Sequence, residues 1–187
     1  MTDEPTPNKL TYVSYLRLDQ ILNAQHPVVP DEQGPAVRAA EHFFIVTHQA
    51  FELWFKQLLL DLGDAALLLP PPTSDVELAL DHLQRAKAVL RLLVQQMVLF
   101  DHLSPRSFLA FRPYLGAASG SESGQFREVQ KALVETGYDP GPVDGRLGPR
   151  TKAALRRYAS VPPPQAPTAA QEIIARFSRG NDRGQSP

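Results

Sequence analysis

Three proline clusters, Pro70-Pro71-Pro72, Pro140-Gly141-Pro142 and Pro162-Pro163-Pro164, divide this chain into segments that a single helix or strand cannot span. Proline fixes φ and removes an amide donor, so each cluster ends the element that reaches it. The 18 prolines in 187 residues are about twice the usual ~5%. Between the clusters, apolar residues return every three or four positions instead of alternating, which predicts helix almost throughout. The expected fold class is all-α: an antiparallel helical bundle followed by a small three-helix module.

From about Ala36 to Leu69, Phe44, His48, Phe51, Phe55, Leu58 and Leu62 fall on one stripe. Ile45, Val46, Leu53, Trp54 and Leu59 occupy the other faces, which predicts a helix buried on most sides. Ser74 and Glu77 have capping-box spacing ahead of a second helix with Leu80, Leu83, Leu90, Leu93, Met97 and Phe100 inward. After Ser104-Pro105 comes a short helical stretch, SFLAFRPYLG, and then a small-residue loop. From Phe126 the unit changes. Phe126, Val129 and Leu133 form a stripe, Gly137 suits a C-cap, Asp139-Pro140-Gly141 and Asp144-Gly145 signal turns, and Gly148-Pro149 opens another helix. Its expected core is Phe126, Leu133, Tyr138, Val143, Leu147, Leu155 and Tyr158. The end of the chain reads as a Pro-rich linker, a short helix in TAAQEIIARF capped by Thr168 and Gln171, and a disordered tail. The expected domains are therefore 1–121, 122–160 and 161–187.

Charge is balanced, with 19 basic and 20 acidic groups, so nothing electrostatic favours nucleic acid or an anionic membrane. It is unevenly placed: residues 1–120 carry 9 basic and 13 acidic groups, against 10 and 7 in residues 121–187. The absence of cysteine excludes disulfides, thiolate zinc sites and iron–sulfur ligation, leaving histidine as the soft ligand. The polar, acidic N-terminus is unlike a secretory signal, and no apolar run approaches ~20 residues, so a cytoplasmic protein without a membrane span is expected.

The strings LTYVSYLRLDQILNAQ (10–25), EHFFIVTHQAFELWFKQLL (41–59) and FLAFRPYLGAASG (108–120) resemble, in that order and with natural spacing, the tryptophan 2,3-dioxygenase family. The resemblance implies an all-helical enzyme carrying haem b, which inserts both atoms of O2 across the indole C2–C3 bond of L-tryptophan to give N-formylkynurenine. It implies that His48 is the catalytic distal histidine facing oxygen and the indole nitrogen. The string Phe44, Ile45, Val46, Thr47 and His48 would bind substrate. Phe108 would be an aromatic wall, and Arg112 would clamp the carboxylate with its planar fork. Ser119 and Gly120 would pack at the haem edge. Tyr12, Tyr15 and Leu16 would complete a neighbouring subunit's pocket in a homotetramer.

The chain departs from that family after Gly120. Ser121 and Glu122 stand where the family has phenylalanine and glutamine, and all five histidines (His26, His42, His48, His82, His102) precede the half in which the family places its proximal haem ligand. In that place the stretch QFREVQKALVETGYDPGPVDGRLGPRTKAALRRYA (125–159) resembles a small peptidoglycan-binding module. The resemblance implies binding of wall glycan or stem peptide through Asp144, Arg146 and the helix carrying Arg150; a helical cap over an exposed apolar face is the alternative. Three classes of function follow: a haem oxygenase of tryptophan, a peptidoglycan-binding module on a helical scaffold, and a non-catalytic subunit that assembles through its N-terminal segment.

Overall fold

A computed structural model describes residues 10–69 and 74–160. The clusters at Pro70–Pro72 and Pro162–Pro164, the TAAQEIIARF segment and the tail lie outside the described residues. Within them the chain is all-α, in the order α1 (Tyr12–Leu16), α2 (Leu18–Ile21), α3 (Pro35–Leu68), α4 (Val76–Gln96), α5 (Val98–Asp101), α6 (Pro105–Phe111), α7 (Gly124–Glu135) and α8 (Pro149–Ser160). Short 3-10 turns cover Asp31–Gln33, Arg112–Leu115 and Gly120–Glu122. No described helix is long and apolar enough to cross a membrane.

Helix α3 starts where Gly34 turns the chain at φ 86° and Pro35 supplies a preset φ at N1. Its buried Glu41 accepts hydrogen bonds from the Val28 and Val29 amides at 2.8 and 2.9 Å, fastening the incoming loop to the helix. Helix α4 returns antiparallel. Ala65 packs with Ala79 near the turn, Asp61 meets His82 midway, and Phe51 stacks on Phe100 at the far end. The cap of α4 differs from the Ser74–Glu77 expectation: Asp75 is the N-cap and accepts from the Leu78 amide. A carboxylate one residue closer to the first turn wins that place. The apolar stripe of α4 also breaks at Met97, so Phe100 stands on the separate turn α5.

Helix α3 is not buried on most sides. Val46 and Leu53 are exposed, because α4, α6 and α7 cover only the face that carries Phe51, Phe55, Leu58 and Leu62. Helix α7 ends as expected: Gly137 adopts φ 85°, its amide bonds to the Val134 carbonyl, and the Tyr138 amide reaches Leu133, a Schellman closure. Val143, expected in the core, lies on the outside of the following turn.

One apolar core runs through both parts of the chain. Phe51, Phe55, Leu58 and Leu62 of α3, Leu90 and Leu93 of α4, Phe126, Val129 and Leu133 of α7, and Leu155 of α8 form a single buried cluster. Each such side chain contributes about 1.5–3 kcal/mol by leaving water. The second part of the chain is therefore built into the bundle through its inner face.

Candidate functional site

His48 lies one helical turn beyond Phe44 on α3, and the two rings touch with centroids 4.1 Å apart. The His48 Nδ1 atom is 2.8 Å from the Phe44 main-chain carbonyl. A carbonyl only accepts, so in neutral His48 the proton sits on Nδ1 and Nε2 presents a lone pair. That lone pair faces Gly120: a Cβ added there would stand 3.6 Å from Nε2.

The expected site residues divide into two groups around this ring. On one side Phe44, Phe108 and Phe111 pack against one another, Phe44–Phe108 at 5.9 Å, Phe44–Phe111 at 5.5 Å and Phe108–Phe111 at 5.4 Å. Phe111, which the sequence reading passed over, is the fully buried member and holds α6 against α3. Arg112 is half-buried at the end of α6, where its Nη1 donates to the Gly116 carbonyl at 3.0 Å. On the other side, Ser119 caps the 3-10 turn and positions Gly120.

Between His48 and the second part of the chain lies a chamber of about 120 Å³. His48, Phe100, Phe51, Phe55, Met97 and Leu93 form its bundle wall; Phe126, Gly145, Leu147 and Leu155 close it from the α7–α8 side. Glu52 and Ser123 stand at its polar margin, with Gln125 Nε2 donating to Glu52 Oε2 at 2.8 Å. The α7–α8 wall was readable only as core, since its residues face a ligand space solely because the module docks there.

The remaining expected residues are placed elsewhere. Thr47 is buried and returns its hydroxyl to the Phe43 carbonyl at 2.8 Å. Val46 faces outward and Ile45 is half-buried. Tyr12, Tyr15 and Leu16 are exposed on α1, which packs with α2. Among the described residues no group of three or more His, Asp or Glu side chains could hold a metal ion. His26, His42 and His102 are exposed, and His82 is engaged by Asp61.

Outside the chamber, Gln130 is fully buried and organises the α7–α8 connection. Its Oε1 accepts from the Gly145 amide at 2.8 Å, while Nε2 donates to the Pro142 and Arg146 carbonyls at 3.2 Å each. Asp144 accepts from the Arg146 amide, which holds its carboxyl below the usual range. Asp139 pairs with Arg150 on the exposed rim, and its pKa is lowered by that bond.

Two family models match this chain. One, described as Tryptophan 2,3-dioxygenase, covers residues 4–137; the other, Putative peptidoglycan binding domain, covers residues 122–158. The two matches overlap on α7, the helix that joins both parts of the core.

Proposed function

The chain belongs to the tryptophan 2,3-dioxygenase family, and on that premise we propose that its chamber beside His48 recognises the indole ring of L-tryptophan. The observation that carries this reading is the His48 Nδ1–Phe44 carbonyl bond, which leaves Nε2 as the acceptor an indole N–H requires. An apolar cavity of ~150 Å³ takes up benzene, so a chamber of about 120 Å³ is of the order of one planar ring system. Phe44, Phe108 and Arg112 do not line the chamber; their roles as aromatic wall and carboxylate clamp rest on the resemblance to the family. Arg112 would have to leave the Gly116 carbonyl to meet a substrate carboxylate.

The family is haem-dependent, and its reaction joins L-tryptophan and O2 to give N-formylkynurenine. The residues described here do not fit that group. The chamber is well below the ~300–1,000 Å³ of pockets for drug-sized molecules, and a macrocycle would collide with Phe126, Leu147 and Leu155. Among the described residues that line it, His48 is the one histidine, so no second one serves as the strong axial donor that ferrous haem needs. We therefore derive no oxygenation step for this chain and propose recognition in its place, within a homo-oligomer in which Tyr12, Tyr15 and Leu16 reach a neighbouring copy.

The test is haemin titration of the purified protein, followed by reduction with and without L-tryptophan, read by absorption and calorimetry. Heat from L-tryptophan or indole with only the free haemin spectrum is the expected result. A saturable Soret band that moves with L-tryptophan would overturn the misfit and restore the oxygenase reading.

A second reading rests on the match over 122–158 and on the outward position of Asp139, Arg146 and Arg150. With the inner face of α7 and α8 committed to the core, peptidoglycan would be held by this rim alone. Co-sedimentation with purified sacculi, lost in Arg150→Ala, would support it; protein left in the supernatant would remove it.

A further inference from the structure

His48 and Glu52 stand one turn apart on α3, and both line the chamber. Among the described residues that line it, Glu52 carries the one full charge. Phe51, Phe55, Phe100 and Phe126 supply aromatic rings, and neither lysine nor arginine reaches the wall. Glu52 is half-buried, and Gln125 Nε2 donates to its Oε2 at 2.8 Å and to its main-chain carbonyl at 3.0 Å. That pair of bonds fixes the carboxylate at the rim and leaves Oε1 for a ligand. Among the described residues no Lys, Arg or His side chain forms an ion pair with Glu52, Lys56 one turn further on included.

This charge pattern sorts ligands that share an indole ring. A ligand carboxylate brought to the rim meets the like charge of Glu52 and the negative faces of the phenyl rings; an ammonium is attracted by both. Arg112, the cation that the family resemblance offers for a carboxylate, does not line the chamber and is bonded to the Gly116 carbonyl. Residues four apart on a helix hold their Cβ atoms about 5–6 Å apart. An indole whose N–H meets His48 Nε2 can therefore extend a two-carbon arm towards Glu52. We propose that the chamber is a site for cationic indole-3-alkylamines, in which Glu52 selects the ammonium and disfavours the carboxylate of an amino acid. The inference rests on the indole reading of the same chamber and adds the class of ligand, the decarboxylated amine ahead of L-tryptophan.

Calorimetric titration of the full chain with tryptamine, its neutral isostere tryptophol, indole-3-propionate and L-tryptophan tests it. Tryptamine binds about 5-fold tighter than tryptophol, the effect of one charge-assisted hydrogen bond at a half-exposed carboxylate. Indole-3-propionate binds most weakly, and raised salt narrows the ratio of tryptamine to tryptophol. In Glu52→Gln, whose amide oxygen still accepts from Gln125, that ratio falls to about one. Equal binding of tryptamine and tryptophol to the wild type, or tighter binding of L-tryptophan or indole-3-propionate than of tryptamine, would overturn the amine preference and leave the indole reading standing. So would an unchanged ratio in a Glu52→Gln protein that keeps its helical circular dichroism. No binding of any of the four, or of indole itself, would overturn both. The wild-type comparison and its salt dependence decide the matter even where Glu52→Gln does not fold.

Discussion

The imidazole Nδ1 of His48 and the carbonyl of Phe44 stand 2.8 Å apart within one turn of α3. The backbone of the helix thereby sets the tautomer of the ring, and the other nitrogen is the acceptor facing the chamber.

That relationship predicts a selectivity. Indole should bind more tightly than 1-methylindole by about 5-fold, the effect of one net hydrogen bond of ~1 kcal/mol. In His48→Ala the two ligands should bind alike. Calorimetric titration of both ligands against both proteins decides it, and equal affinities for the wild type would sink the acceptor role of Nε2.

Gln130 joins four groups of the α7–α8 connection, and its replacement by Ala leaves the buried Gly145 amide without a partner. The expected loss is about 3 kcal/mol. Since α7 and α8 share their core with α3 and α4, urea unfolding of Gln130→Ala should remain one transition at a lower midpoint. Two resolved transitions would show that the second part folds by itself.

Gly145 brings that connection against the backbone of Ser121. Its φ is 76°, and an added Cβ would stand 2.3 Å from the Ser121 carbonyl oxygen. Gly145→Ala therefore combines left-handed strain with a backbone overlap and should cost at least about 2 kcal/mol. It should also widen the chamber, of which Gly145 is a wall. A thermal midpoint equal to the wild type would mean that the turn does not seat against Ser121 in solution.

The elements that pack through their own periodicity were legible in the sequence: α3, α4, α7 and α8 all follow from their stripes, and Gly137 caps α7 where the pattern places it. Two kinds of feature were not. Periodicity reports which residues are apolar and is silent on whether a partner covers them; thus Val46 and Leu53 read as buried but face outward. The chamber is the second case. His48 and Gly120 came from resemblance to a family, whereas Phe126, Leu147 and Leu155 meet them only through the docking of α7 and α8, a long-range event without local signature. Gln130, a polar residue inside a helix, gave no sign of being the buried link of its turn.

Asp61 is almost fully buried between α3 and α4. Burial pushes its pKa upward, but hydrogen bonds from Arg85, Gln57 and His82 outweigh this, and the net shift is downward. A carboxyl depressed in the folded state adds stability that is complete above its unfolded value near 3.8 and lost as pH falls through the lower folded value. Asp61→Asn should destabilise the protein by about 1–3 kcal/mol at neutral pH, a moderate figure because Arg85 can return to solvent. Its stability should also depend less on pH below 4 than the wild type's, as measured by urea midpoints across the acid range. Parallel acid profiles would remove Asp61 from the account.

Tyr158 gives the opposite pH limit. Its ring packs edge-on to Tyr138 with centroids 5.1 Å apart. Burial, with a smaller contribution from Tyr138, pushes its pKa from 10.0 to about 12. Between those values the unfolded state releases a proton that the folded state keeps, so stability falls with rising pH. The contribution of Tyr158 is complete below pH 10 and gone above about 12. Ultraviolet titration of the native protein should therefore show a late ionisation step, and that step should vanish in Tyr158→Phe. If no late step appeared while the helical signal persisted, α8 would not be holding Tyr158 against the bundle.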